Sequence, residues 1–275
     1  MSIKSLVCLF LFSSVVCFAQ KGPSVDPKVK RVVRESFGKI LDSLGVKGSI
    51  LIYDSKLKTY YSNDFKWAKT AKLPASTFKI PNSIIALETK IIESDTTVIK
   101  WNGEKRALPV WEQDLTFKKA IQVSCVPCYQ EIARKIGTKR MKEYLAKLDY
   151  PGMDVDSVNI DYFWLRGKSA ISQLQQVDFL YRLYNLQLPV SAHTSSVMKT
   201  ILEIEKTDTY TLSGKTGYGV DGGRVGWFVG YVQKGDTVYY FATNIAPGKD
   251  FDDKKFFEAR IVATKKALRG MGVID

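Results

Sequence analysis

"TYTLSGKTGYGVDGGRVGWFVGYVQKGDTVYYFATNI", residues 209–245, is the stretch on which the fold turns. Three runs within it, "TYTLSGKTG", "GRVGWFVGYVQ" and "DTVYYFATNI", are rich in β-branched and aromatic residues and are separated by Gly-rich or Lys-Gly-Asp turns. That pattern predicts consecutive strands joined by tight turns. Working outward, "GSILIYDSKLKTYYSND" at 48–64 places similar runs on either side of Asp54-Ser55-Lys56 and predicts a hairpin near the other end of the chain. Residues 66–206 carry helical patterning with Pro and Gly breaks and few strand signals. Two terminal helices are expected. "PKVKRVVRESFGKILDSLG" follows an Asp26-Pro27 start and ends at Gly45, and "FDDKKFFEARIVATKKALRGMG" at 251–272 has acids first and bases last. Strands at both ends with helices between them predict an α+β fold. One antiparallel sheet of N- and C-terminal strands would be flanked by the terminal helices, with an all-helical lobe inserted and a cleft between lobe and sheet.

The 275 residues suffice for one large domain or two intimately packed lobes. Residues 20–275 are read as one catalytic domain, with a sheet lobe at about 20–65 and 207–275 and a helical lobe at about 66–206. Lys and Arg outnumber Asp and Glu by 41 to 28, but the bases are spread along the chain without interleaved aromatics. This argues for anionic small ligands and against nucleic acid as a partner. Residues 1–19 combine one lysine, a short apolar run and Cys17-Phe18-Ala19, a small-x-small pattern. They are expected to be a cleaved signal peptide, leaving an exported, periplasmic protein with no membrane span. Acylation at Cys17 as a lipoprotein is the weaker alternative, because Val16 fits poorly before it. Cys125 and Cys128 are the cysteines that remain, too few for a disulfide scaffold. They could form a local disulfide or redox pair, or be two small buried residues. No metal site is expected, since His193 is the only histidine and no second cysteine pair exists. Oligomeric state leaves no mark in the sequence.

The chemistry concentrates in "PASTFKIPNS" at 74–83, where Ser76 stands three residues before Lys79 at the start of an apolar helix. Residues three apart share a helix face, and a helix start favours a developing anion, so the pair suits a nucleophile and its base. Pro81 is tolerable there because its missing N–H falls at or near the unpaired first turn. The S-x-x-K pattern also occurs at Ser36/Lys39, Ser55/Lys58 and Ser196/Lys199, so spacing alone does not select the site. Lys215-Thr216-Gly217 between two predicted strands adds a cation and a backbone edge that could hold a carboxylate and an amide. Ser124-Cys125-Val126 at a loop-to-helix junction is a third element, uninformative alone.

In this order and spacing the three elements resemble the serine penicillin-recognising enzymes. The segments "PASTFKIPNSIIALE", "SCVPCYQEIARKIG", "DYFWLRGKSAISQLQQVDFL", "LSGKTGYG" and "GRVGWFVGYV" are similar to those of the class D, or oxacillinase-type, β-lactamases, over roughly residues 65–265. The resemblance implies β-lactam hydrolysis through an acyl-enzyme on Ser76, and hence antibiotic resistance. An ordinary lysine is protonated at neutral pH, and holding Lys79 neutral by burial demands about 5 kcal/mol, which an apolar pocket can supply. Phe78, Val126, Trp164 and Leu165 are its candidate walls.

The family further implies that neutral Lys79 takes up CO2 as a carbamate, a covalent modification in place of any dissociable cofactor, and that the Trp164 indole N–H holds it. Ser124 would relay a proton to the lactam nitrogen, and the N–H groups of Ser76 and Tyr218 would form the oxyanion hole. Lys215, Thr216, Gly217 and Arg260 would line the substrate carboxylate site. Two features depart from the family pattern: Tyr150-Pro151-Gly152 replaces a common Tyr-Gly-Asn, and Cys128 adds a second thiol. A β-lactam sensor domain that stays acylated and a D-alanyl-D-alanine peptidase are the rival readings.

Overall fold

The computed structural model describes residues 29–248 and 252–275; the expected signal peptide and the Asp26-Pro27 start lie outside them. The chain opens with β1 (Lys30–Val33), α1 (Glu35–Ser43), β2 (Val46–Asp54), β3 (Thr59–Ser62) and α2 (Phe65–Lys69). The inserted lobe holds a 3-10 turn at Ala75–Phe78, α3 (Lys79–Glu88), a small hairpin of β4 (Val98–Ile99) and β5 (Leu115–Thr116), α4 (Phe117–Gln122) and α5 (Val126–Ile136). It continues through α6 (Thr138–Lys147), α7 (Gln173–Tyr184) and α8 (Ala192–Leu202). The chain returns with β6 (Glu203–Lys206), β7 (Thr211–Gly219), β8 (Val225–Lys234), β9 (Thr237–Pro247) and α9 (Asp253–Gly270).

Among the described residues the main sheet has seven strands in the order β1-β3-β2-β9-β8-β7-β6. The alternation of side chains along each strand divides two cores. Ile50 and Ile52 of β2, with Phe228 and Val232 of β8, pack against α1 and α9 through Phe37, Leu41, Phe256, Ala263 and Leu268. Leu51, Trp227, Val229 and Tyr240 join the other core, shared with the helical lobe. β8 therefore reads as an apolar run without alternation, because both of its faces are covered. The lobe is tied to the sheet at the start of α7, where Gln173 Nε2 donates to Ser49 O at 2.8 Å and to Ala242 O.

The fold class is α+β as expected, with three local differences. Residues 30–33 are a strand, so the first helix is shorter than the 27–45 periodicity predicts and begins at Glu35. Val29, Val32 and Val33 satisfy a helical period and a strand equally, and the open edge of β3 decides between them. That pairing is parallel, from Lys30 opposite Thr59 to Val33 opposite Ser62, so the sheet is mixed where an antiparallel one was expected. Strand β6 and the small β4–β5 hairpin fall inside the stretch read as helical, and β6 extends the main sheet beside β7.

Candidate active site

The Ser76 segment is a 3-10 turn that runs directly into α3, so Ser76 lies one turn ahead of the first α-helical residue, Lys79. Pro81 is the third residue of α3, where no intrahelical N–H bond is lost. The turn is held against strain: Ala75 has φ +49°, which a side chain disfavours. Thr77 Oγ1 donates to Pro74 O at 2.7 Å, and Gln176 Nε2 of α7 donates to Thr77 Oγ1 at 2.8 Å. Lys79 Nζ donates to Ser76 Oγ at 3.0 Å.

Lys79 is 0% exposed. Burial, with no opposing acid, pulls its amine from 10.5 down to about 7. Its Nζ sits 5.1 Å from the centre of the Tyr129 ring, and Tyr129 Oη is tied to Ser83 Oγ at 2.7 Å, one turn along α3. Phe78 stacks on Trp164 at 5.4 Å and meets Phe163 edge-on at 4.7 Å. Among the described residues the fully buried Trp164 Nε1 has no hydrogen-bond acceptor. Such a group costs about 1–3 kcal/mol, so it marks a place where an acceptor is wanted. Of the four expected walls, Phe78 and Trp164 are wholly buried, while Val126 and Leu165 are half-buried at the margin of the same core.

The opposite side is built by β7. Lys215 is 5% exposed, and its Nζ donates to Ser124 Oγ at 3.0 Å and to Thr216 O at 2.8 Å. Burial first, then the charges of Lys79 and Arg260, hold its amine well below the ordinary lysine value. Ser124 itself stands at φ +54°, immediately before the Cys125 cap of α5. Cys125 and Cys128 are joined as a disulfide with Cα atoms 5.4 Å apart. Of the alternatives open for this pair, the covalent one holds. Arg106 Nη1 lies 3.8 Å from each sulfur and donates to Trp111 O at 2.8 Å, while Trp111 Nε1 donates to Val123 O at 3.0 Å.

Gly217 lets β7 approach the serine turn. A Cβ there would lie 3.1 Å from Thr77 Cγ2 and 3.3 Å from Pro74 O, so the backbones bearing Ser76 and Tyr218 come together. The Tyr218 ring turns to α9 and packs edge-on against Phe257 at 4.6 Å. Arg260, though on a terminal helix, is only 9% exposed, and Nη1 donates to Gly217 O at 2.9 Å. Burial lowers its guanidinium to about 10, and its Nε has no partner among the described residues. At the Pro151 departure, Tyr150 is buried edge-on to Phe78 at 6.1 Å, and Gly152 O accepts from Ala170 N at 2.8 Å.

The other S-x-x-K lysines, Lys39, Lys58 and Lys199, are exposed, so burial separates Lys79 from them. Tyr129 and Arg106 escaped the sequence reading. Tyr129 was visible only as the residue three after Val126 on the same helix face; Arg106 left no signal in its own loop. Among the described residues no group of acids, cysteines and histidine could hold a metal ion, and no helix is long and apolar enough to cross a membrane.

Residues 47–264 match the penicillin binding protein transpeptidase domain. The chain is 40% identical to β-lactamase OXA-10 of Pseudomonas aeruginosa over 243 residues, 87% of this chain and 90% of that protein. It is 36% identical to β-lactamase OXA-48 of Klebsiella pneumoniae, over 83% of this chain and 84% of that protein. The crystal structure of a class D β-lactamase from Sebaldella termitidis superposes with a TM-score of 0.85 at 35% identity, covering 90% of this chain and 99% of that one. The class D enzyme YbXI from Nostoc gives 0.83 at 39% identity, covering 88% and 100%.

Proposed function

From the premise that the chain belongs to the class D β-lactamases, we propose that it hydrolyses β-lactam antibiotics through an acyl-enzyme on Ser76 and so confers resistance to them. The observation that carries this reading is the 3.0 Å contact between Ser76 Oγ and the amine of a lysine that burial keeps near half-deprotonated at neutral pH. Ser76 Oγ attacks the lactam carbonyl carbon as its proton passes to the Lys79 side chain. The backbone N–H groups of Ser76 and Tyr218 receive the developing oxyanion. As the lactam C–N bond breaks, Ser124 gives its proton to the departing nitrogen and is resupplied from Lys215 Nζ, 3.0 Å away. Lys215, Thr216 and Arg260 present cationic and hydroxyl groups to the substrate carboxylate. The proton taken up by Lys79 replaces, through solvent, the one that Lys215 gave up. Water then attacks the ester carbonyl as its own proton passes to the Lys79 side chain, and that proton returns to Ser76 Oγ as the ester C–O bond breaks.

The niche also fits a carbamate formed from CO2 on Lys79 Nζ. The amine is partly uncharged, as that addition requires, and the Trp164 indole N–H lacks an acceptor. Lys79 would carry the group and Trp164 would hold it, supplying an anionic base in place of an amine. We place the working protein in the periplasm, on the strength of the export signal read in residues 1–19.

The test is hydrolysis of a chromogenic cephalosporin by the purified chain. Many turnovers per enzyme, with rates that fall on CO2 depletion and recover with bicarbonate, are expected. A single stoichiometric burst would make this a sensor or peptidase instead, and CO2-independent rates would remove the carbamate.

A further inference from the structure

Strand β6 pairs with β7 only as far as Ser213, and at the next residues, Gly214 to Thr216, a groove of about 410 Å³ opens beside the strand edge. Its apolar surface comes from one residue of each surrounding element: Ile121 of α4, Ile201 of α8, Ile204 of β6, Leu212 of β7, Phe228 of β8 and Ile261 of α9. Leu212 and Phe228 are fully buried, so they form its base, while Ile204 is 53% exposed and stands at its rim. Of the charged residues in the lining besides Lys215, Lys265 Nζ is bound to Glu205 at 2.5 Å, and Glu203 stands at the start of β6.

The groove is continuous with the candidate active site, because Lys215 and Thr216 line both. Resting on the β-lactamase reading above, a substrate whose carboxylate is drawn to Lys215, Thr216 and Arg260 would have the neighbouring ring position directed at this opening. We infer that the groove beyond Thr216 is a specificity subsite, which takes an apolar, aromatic-sized substituent borne beside the carboxylate of a β-lactam. Its size falls within the range of small-molecule sites, and six of its twelve lining residues are large apolar ones, with Gln122, Glu203 and Lys265 as polar neighbours. Burial against the apolar residues discriminates by area.

The test uses two cephalosporins with the same acylamino side chain, one with a methyl and one with a phenylthio-type aromatic group next to the ring carboxylate. Wild type is expected to favour the aromatic member in kcat/KM by ~10-fold, the size of effect a filled apolar pocket gives. Ile204→Trp, at an exposed rim position, should erase that preference while leaving the methyl member within about twofold of wild type. Ile204→Ser should reduce it partway. Equal changes for both members, or an undiminished preference in Ile204→Trp, overturn the subsite while leaving hydrolysis intact. A chain that turns over neither member overturns the proposed function, and the subsite falls with it.

Discussion

Lys79 and Lys215 are both withdrawn from water, yet the two walls that bury them prepare different chemistry. On the helical wall, Lys79 is enclosed by aromatic rings, and burial alone lowers its amine to about 7. On the strand wall, Lys215 is surrounded by hydroxyl and carbonyl oxygens, and the cations Lys79 and Arg260 add to the effect of burial. In the proposed mechanism the apolar niche suits Lys79 to act as a base, and the sheet edge with its oxygen acceptors suits Lys215 to supply a proton and hold an anion. The difference lies in what surrounds the amine more than in how deeply it is buried.

The largest expected effect separates these roles most sharply. Lys79→Met keeps volume and removes the amine, and should lower kcat/KM for a cephalosporin by ~10⁴-fold or more, as should Ser76→Ala. The same Lys79→Met variant should unfold at a higher temperature in a calorimeter. The unfolded chain holds a proton on this amine up to about pH 10.5, whereas the folded chain gives it up near 7. The cost to the fold is therefore full below pH 7, about 4 kcal/mol at neutrality, and shrinks as pH rises from 7 toward 10.5. A variant with reduced stability would break the contrast, because it would make Lys79 a structural residue.

Lys215→Met should cost less, about 10²–10³-fold in kcat/KM, through slower proton delivery at Ser124 and weaker carboxylate binding. If it matched the loss in Lys79→Met, the division of labour between the walls would fail. Trp164→Phe removes one N–H from the helical wall and should cost about 10- to 100-fold in kcat, with part of the loss restored by added bicarbonate. Wild-type kcat should itself fall as pH drops through about 7, since the protonated amine cannot accept the serine proton. The smallest effect belongs to the paired Cys125→Ser and Cys128→Ser substitution. The bridge closes a loop of only three residues' separation, worth about 2 kcal/mol at most, so Tm should fall by several degrees with kcat/KM nearly intact. A larger loss of activity than of stability would show that the bridge holds Ser124 in its φ +54° conformation.

Much of this site was legible because its decisive spacing is local. Ser76 and Lys79 are one turn apart, and a Lys-Thr-Gly flanked by strand patterns was enough to mark β7. What was not legible depends on partners distant in sequence. Residues 30–33 follow a helical period but become a strand because β3 presents an open edge. Tyr129 reaches Lys79 across 50 positions, and Arg260 is buried because α9 packs against the sheet beside Gly217.

By itself the sequence carried the α+β order of elements, a Ser-x-x-Lys at the head of one helix, and a lysine between two predicted strands, since each is written in a period or a short spacing. Tertiary structure alone decided which of four S-x-x-K lysines lost its water, that Cys125 and Cys128 bond, and that a groove opens where β6 stops pairing. Desolvation and cavity shape arise from groups brought together by the whole fold, and no stretch of the chain carries them alone.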